Sequence, residues 1–433
     1  MAASLASHGP AALVVAMLAL GITMINPELA IRSVSRFSDE DTLQMAASNM
    51  SVPHEKLSPP PAGIVASVSE GASFLLVVSP ANRTNPLDAA ALATLLEKNV
   101  NWLRDALFHH GAIIFRGFHV PSANAFEQVA LAISRDLATT YLGTSPRSSI
   151  NGTTFVHTAA DFAPHRTVPV HLEMSFRDQP PQTQMFYGYR LDHGKGGETP
   201  LTDFEGVWRT LSQDPEIREK YSSAGLQYIR NNDDCSALSR IDPLVQKCWQ
   251  EMFKTSDRQQ VLTKCKEELF NCTFLDDWQG RVRITNVQPF VRKHPVSGKT
   301  VWFNHINVLT RNSMVEDYER TAVLWGGLWG FWPLALSIYY RALFGLLSMF
   351  LNEIDFGSTV AFADGTAIPA NHLAAFKRAI WKNTAQQPYQ LHDIVVVDNL
   401  RVGHGREIYT GDKSLRKILT AWADEYPSKW FSK

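Results

Sequence analysis

A chain of 433 residues, 45% of them apolar, is long enough to bury a large core. Its 41 basic and 42 acidic side chains leave a net charge of −1, which excludes a binder held to nucleic acid by bulk charge. No internal repeat points to a solenoid or propeller.

Residues 1–60 read as an appendage. Ala11 to Ile25 is apolar and uncharged; no Lys or Arg precedes it, and Arg32 and Arg36 follow. The run is short for a spanning helix, which needs about 20 residues. It also lacks the basic start of a good signal peptide. A weak signal peptide or anchor, an organelle presequence, and an apolar helix packed on the domain all stay open. Ser58-Pro-Pro-Pro-Ala62 then reads as a stiff linker into a domain covering 61–433.

Leu87–Phe108 has helical spacing, and Gly111–Phe118 reads as a buried strand. His109-His110 resembles a metal pair only superficially, since it falls at a helix end. Val168-Pro-Val-His-Leu-Glu-Met-Ser-Phe176 alternates as a short strand. Residues two apart on a strand share a face, so His171 and Glu173 are expected to project together. That is two-thirds of a 2-His-1-carboxylate iron site, a weak signal by itself. A strand over Gln184–Arg190 and a loop at 192–195 lead to Gly196-Gly-Glu-Thr-Pro200.

Residues 211–285 are helix-rich, polar and hold all four cysteines: Cys235, Cys248, Cys265 and Cys272. An even count invites disulfides, and buried thiols are the alternative. Zinc is disfavoured because no Cys-x-x-Cys occurs. Sequons at Asn49, Asn82, Asn151 and Asn271 suit a lumenal domain. Thr321–Tyr340 carries no charge, and after Arg341 the stretch Ala342–Leu351 is apolar again. Its length and composition suit a membrane. Beyond it, Thr359–Ile368 reads as strand and turn, Leu373–Lys382 as helix, and Val395–Val397 as a buried strand leading to His404.

The ordered motifs carry a resemblance. They comprise Gly111–Phe118, the His171-Leu-Glu173 stretch, Gly196–Pro200, Gly225-Leu-Gln-Tyr-Ile-Arg230, Cys248–Phe253, Lys293–Gly298, Val301–Asn304, Ile394–Arg406 and Leu415–Trp422. Together the chain resembles the taurine dioxygenase/clavaminate synthase-like family of Fe(II)- and 2-oxoglutarate-dependent oxygenases. The eukaryotic clavaminate synthase-like branch is nearest in flavour. The resemblance implies a mainly β fold with flanking helices, a double-stranded β-helix or jelly roll of cupin type. It implies Fe(II) on His171, Glu173 and His404, with O₂ and 2-oxoglutarate on the open positions. The far carboxylate of 2-oxoglutarate would meet Arg416, with Lys417 as runner-up, and Thr199. A guanidinium fork matches a carboxylate better than an ammonium does. Asp203 and Trp208 fall at framework positions.

The implied reaction decarboxylates 2-oxoglutarate to succinate and CO₂ and oxidises an unactivated C–H bond, by hydroxylation or by the related desaturation or ring closure. Glu173 disfavours halogenation, since related halogenases replace this carboxylate. Asn304, His305, Arg401 and Thr420 are candidate substrate contacts on a small molecule. Thr420 stands where taurine dioxygenase carries a basic residue. Compared with plain catalytic domains, 311–352 reads as a helical apolar insert. A single membrane pass there would put His171 and Glu173 on one side and His404 and Arg416 on the other. An in-plane or re-entrant hairpin, with Trp and Tyr at the interface, is therefore expected. A helical pair over the substrate mouth or a dimer contact is the alternative. Association through 321–351, and possibly 11–25, makes a lipid-like substrate plausible and an endomembrane setting the expected one. A catalytically dead, membrane-tethered scaffold and a cupin-type metal enzyme without 2-oxoglutarate are the other readings. The intact set of five residues speaks against both.

Overall fold

The structure is a computed structural model that describes residues 57–139, 147–159, 162–236, 244 and 247–431. The Ala11–Ile25 run and the Asn49 sequon lie outside the described residues. The chain forms two compact units, one made of Ser51–Thr310 with Asn352–Lys433, the other containing Arg311–Leu351.

The larger unit is a jelly roll with flanking helices. A seven-stranded sheet runs in the order Ile64–Ser69, Ala72–Pro80, Ala112–Phe115, Ile394–Asp398, Thr183–Leu191, Arg416–Ala423, His157–Thr158. A four-stranded sheet faces it in the order Thr384–Gln387, Thr199–Asp203, Val402–Arg406, Val168–His171. The barrel interior is closed by inward apolar residues of both sheets, among them Phe74, Ile114, Phe186, Leu201, Val395 and Val402. Alternation along each strand sends these side chains inward. The outer face of the large sheet is covered by the helices Ala89–Lys98, Val100–His110 and Ala123–Ile133. The single helix expected over Leu87–Phe108 is two: Asn99 leaves helical geometry, and its side chain caps the Leu95 carbonyl at 2.8 Å.

A third sheet, Ser358–Phe362, Gly225–Asn232, Val282–Pro289 and Asn271–Phe274, builds a second core with the four-stranded sheet. Tyr221, Tyr228, Phe290 and Trp302 are fully buried there. The cysteines pair as Cys235–Cys248 and Cys265–Cys272, the second tying the helix Arg258–Glu267 to the strand Asn271–Phe274.

The smaller unit is a helical hairpin, Arg311–Trp325 and Gly327–Leu347. The break falls at Gly326, so the charged stretch before Thr321 belongs to the first helix. Arg341, the one charge inside the apolar run, pairs with Glu319 across the hairpin. Leu328, Trp329 and Phe331 are exposed, Leu328 at 95%. Among the described residues no helix is long and apolar enough to cross a membrane.

Candidate metal centre and cosubstrate site

The strand carrying His171 ends at that residue; Glu173 starts a turn. The two side chains therefore do not converge by strand alternation. Met174 takes a left-handed backbone (φ 51°), which bends the chain back after Glu173. Asn399 holds this turn from both sides. Its Oδ1 accepts from the Glu173 amide at 2.7 Å, and its Nδ2 donates to the Glu173 carbonyl at 3.0 Å. A third bond, to the Pro181 carbonyl at 2.7 Å, anchors the amide.

His404 comes from the neighbouring strand, paired directly opposite His171. Gly403 and Gly405 make that pairing close. A Cβ on Gly403 would fall 2.6 Å from the His171 carbonyl oxygen, and one on Gly405 would fall 2.7 Å from that of Val168. A side chain at either position would push apart the two strands that carry the histidines.

The result is a buried corner. His171, Glu173 and His404 each offer one ligand atom, and these atoms lie within 4.8 Å of one another. The His171 and His404 ring centroids are 4.6 Å apart, and His404 Nε2 is 3.7 Å from Glu173 Oε2. The Nδ1 of His171 is engaged by the Pro169 carbonyl at 2.8 Å. An N–H there leaves the Nε2 lone pair for a metal. Burial lowers the pKa of His171, against the opposing charge of Glu173. Burial, reinforced by His171 and Arg147, holds His404 well below its ordinary value. Burial thus favours the neutral form of both rings, the state that ligates. Two neutral imidazoles and one carboxylate form a donor set that fits Fe(II).

Arg147 and Asn399, which had no assigned role in the sequence reading, and His305, a candidate substrate contact there, complete the corner. Arg147 reaches in from the loop before the strand and bonds Glu173 Oε2 at 2.6 Å, with its guanidinium 5.7 Å from the Trp422 ring centroid. Asn399 clamps the turn. His305, with its ring 5.1 Å from that of His171, contacts Ser175 Oγ at 3.2 Å. Burial pushes the His305 pKa down to about 3. Asn399 stood inside a quoted motif, and its position just before a strand rich in glycine was a usable signal. Arg147 had none beyond its proximity to the His-x-Glu stretch.

Arg416 opens its strand, as expected, and its Nε and Nη2 both bond the Gly197 carbonyl, at 3.1 and 2.7 Å. Among the described residues Nη1 has no hydrogen-bond partner, so an edge of the fork remains for a carboxylate. Thr199 is buried on the neighbouring sheet. Tyr389 lines the same small cavity as Thr199, and burial raises its phenol above the ordinary range, with the Arg416 charge acting the other way. Lys417 lies instead over the ring of Tyr189, itself part-exposed.

The candidate substrate contacts are engaged in the framework. Asn304 donates to the Phe290 carbonyl and accepts from the Ile306 amide. Thr420 donates to the Met185 carbonyl at 2.9 Å and accepts from Gln184 at 2.8 Å. Arg401 is tied to Asp203, Glu205 and the carbonyls of Phe108 and His109.

Residues 78–422 match the family described as taurine catabolism dioxygenase TauD, TfdA family. The chain is 26% identical over 316 residues to the dapdiamide synthesis protein DdaC of Enterobacter agglomerans, covering 73% of this chain and 83% of that protein. It is 26% identical over 346 residues to a clavaminate synthase-like protein of Arabidopsis thaliana, covering 78% and 90% respectively. Among solved structures it is similar to the PvcB protein from Pseudomonas aeruginosa, at 14% identity and a TM-score of 0.46, over 86% of this chain and 94% of that one. The chain belongs to the TauD/TfdA family and is a non-haem iron dioxygenase that uses Fe(II), 2-oxoglutarate and O₂.

Proposed function

We propose that this dioxygenase hydroxylates an unactivated C–H bond of a small or lipophilic molecule, with release of succinate and CO₂, at iron held by His171, Glu173 and His404. The convergence of two neutral imidazoles and one carboxylate in a buried corner carries this reading. When bound, iron and 2-oxoglutarate supply the oxidising power. The protein's share is positional. Asn399 and the glycines beside His404 fix the ligand atoms. Burial in the apolar interior keeps bulk water from the reacting centre. Arg416 and Thr199 orient 2-oxoglutarate by its far carboxylate, the guanidinium through a charge-assisted bond. Retention of Glu173 favours hydroxylation over halogenation, because the carboxylate takes the position a halide would need.

The test is anaerobic titration with Fe(II) and 2-oxoglutarate, following the weak visible charge-transfer band of the chelate. Wild type should develop the band, and His171→Ala and Arg416→Ala should lose it. Iron-loaded wild type without a band sinks the assignment.

The same reading treats 61–433 as one catalytic domain, with 1–60 appended and 311–352 inserted. The exposed Leu328, Trp329 and Phe331 support attachment of the hairpin to a membrane surface, lying in the plane rather than crossing it. The two disulfides and the exposed sequon residues Asn82, Asn151 and Asn271 support an oxidising, endomembrane lumen. Liposome flotation checks the attachment: deletion of 321–351 should abolish it, and a deletion variant that still floats refutes this role for the hairpin.

A further inference from the structure

Arg230 lies in the strand Gly225–Asn232 and shares its inward face with Leu226 and Tyr228, both 0% exposed. The arginine itself is 5% exposed. Its Nε, Nη1 and Nη2 are all buried, and none has a hydrogen-bond partner. No carboxylate among the described residues pairs with it. What surrounds the guanidinium is aromatic, with the Phe176 ring at 4.5 Å and the Phe270 ring at 5.0 Å.

A buried charge without a counter-ion is costly, and native proteins rarely keep one without a reason. Cation–π contacts with two phenyl rings recover part of the cost, yet they leave every N–H unbonded. Burial pushes this guanidinium down to about 10, with Tyr228 opposing, so it remains cationic at neutral pH. The neighbouring Arg292 shows what a structural arginine looks like here: it bonds the Asp178 and Arg177 carbonyls and Gln288.

The location is functional. Phe176, the ring on which Arg230 rests, follows Glu173 by three residues. Its other neighbour is His305, edge-on at 5.4 Å, and His305 in turn abuts His171 at 5.1 Å. The orphan cation thus stands two rings away from the proposed iron corner. Among the described residues no arginine of this core is as fully desolvated and as empty-handed.

We propose that Arg230 is the anion receptor of the substrate pocket, and that the substrate carries an anionic head, a carboxylate, sulfonate or phosphate, several bonds from the carbon that is oxidised. The inference rests on the hydroxylase reading above and adds the substrate's charge to it. An incoming anion would supply the missing counter-charge and accept the unused N–H groups. The aromatic walls of Phe176 and Phe270 would seat the apolar chain next to that head.

The test uses full-length protein, wild type, Arg230→Met and Arg230→Lys, with octanoate, octyl sulfonate and octyl phosphate as anionic probes and octanamide as the neutral control. Binding is read by calorimetry, with and without Fe(II) and 2-oxoglutarate. The charge-transfer band is recorded in parallel. Wild type should bind at least one anion more tightly than octanamide, and Arg230→Met should lose about 10–100-fold in that affinity while keeping the band. Arg230→Lys should retain part of the preference. The melting temperature of ligand-free Arg230→Met should equal or exceed that of wild type, because the change removes an unpaired buried charge. The proposal is overturned if wild type with an intact band shows no preference for an anion, if Arg230→Met binds as wild type does, or if that variant melts well below it. Absence of the band in wild type would strike the hydroxylase reading instead, and anion binding to the metal-free chain would still judge Arg230.

Discussion

Two arginines, each buried in the same domain, sit in opposite circumstances. Arg401 has Asp203, Glu205 and two backbone carbonyls around it. Burial alone would lower its pKa, but the two carboxylates hold it above the ordinary value. Arg230 has two phenyl rings and no acceptor. The first joins the helix Val100–His110 to the strand before the active corner, and its bonds are complete without any ligand. The second is complete only when something enters. Satisfaction of hydrogen bonds, rather than depth of burial, separates the structural cation from the functional one.

The sharpest way to break this contrast is to remove each charge. Arg401→Ala should cost about 2–4 kcal/mol in denaturant unfolding, because Asp203 and Glu205 lose their buried partner and keep only the more exposed Arg209 and Lys299. Arg230→Met should cost nothing. Equal losses in the two variants would erase the distinction.

A smaller effect concerns the seat of Phe270. It lies between Cys265 and Cys272, so reduction of that bridge should loosen one wall around Arg230. Opening a loop this short should lower stability by roughly 2–3 kcal/mol. Unfolding curves of the Cys265→Ser/Cys272→Ser variant measure it; an unchanged midpoint would mean the wall is held without the bridge.

Asn399 extends the comparison to a neutral group whose bonds are all made. Under the proposed ligand assignment, Asn399→Ala should weaken Fe(II) binding about 10–100-fold, since the turn carrying Glu173 loses its clamp. Competition with a chromophoric chelator reads this directly, and wild-type affinity in the variant would place the rigidity of the turn elsewhere.

The smallest expected effect comes from a buried base that avoids the problem by staying neutral. Burial lowers the His157 pKa, with the Phe155 carbonyl opposing. The unfolded chain therefore binds the proton more readily, and stability present above the ordinary value near 6.5 is lost as pH falls through it. The melting temperature should decline between pH 7.5 and 5.5, and His157→Gln should flatten the slope.

The motif order in the chain already pointed to the jelly roll and to the three residues that meet in the corner. It did so through the resemblance that those motifs carry together, since a His-x-Glu after a proline or a histidine between two glycines is a weak signal alone. The route of convergence was not legible. Alternation on a strand was the expected device, whereas the backbone reversal at Met174 and the Asn399 clamp bring Glu173 into place. Asn304, Thr420 and Arg401 were candidate substrate contacts by position; hydrogen bonding is a three-dimensional property, and nothing in their neighbours' identities reveals the framework bonds they hold. Arg230 was invisible for the converse reason. It stood inside a recognisable motif, yet only the packed core shows that no acid comes to meet it.

The corner draws His171 and Glu173 from the first half of the chain and His404 from a strand made 231 residues later. Nascent chains on the ribosome consequently lack a site until translation is nearly over, and metal loading is a late, post-synthetic event. A stop codon between positions 352 and 404 would leave all four cysteines and the whole apolar hairpin in the chain and, under the proposed ligand assignment, an incomplete iron site.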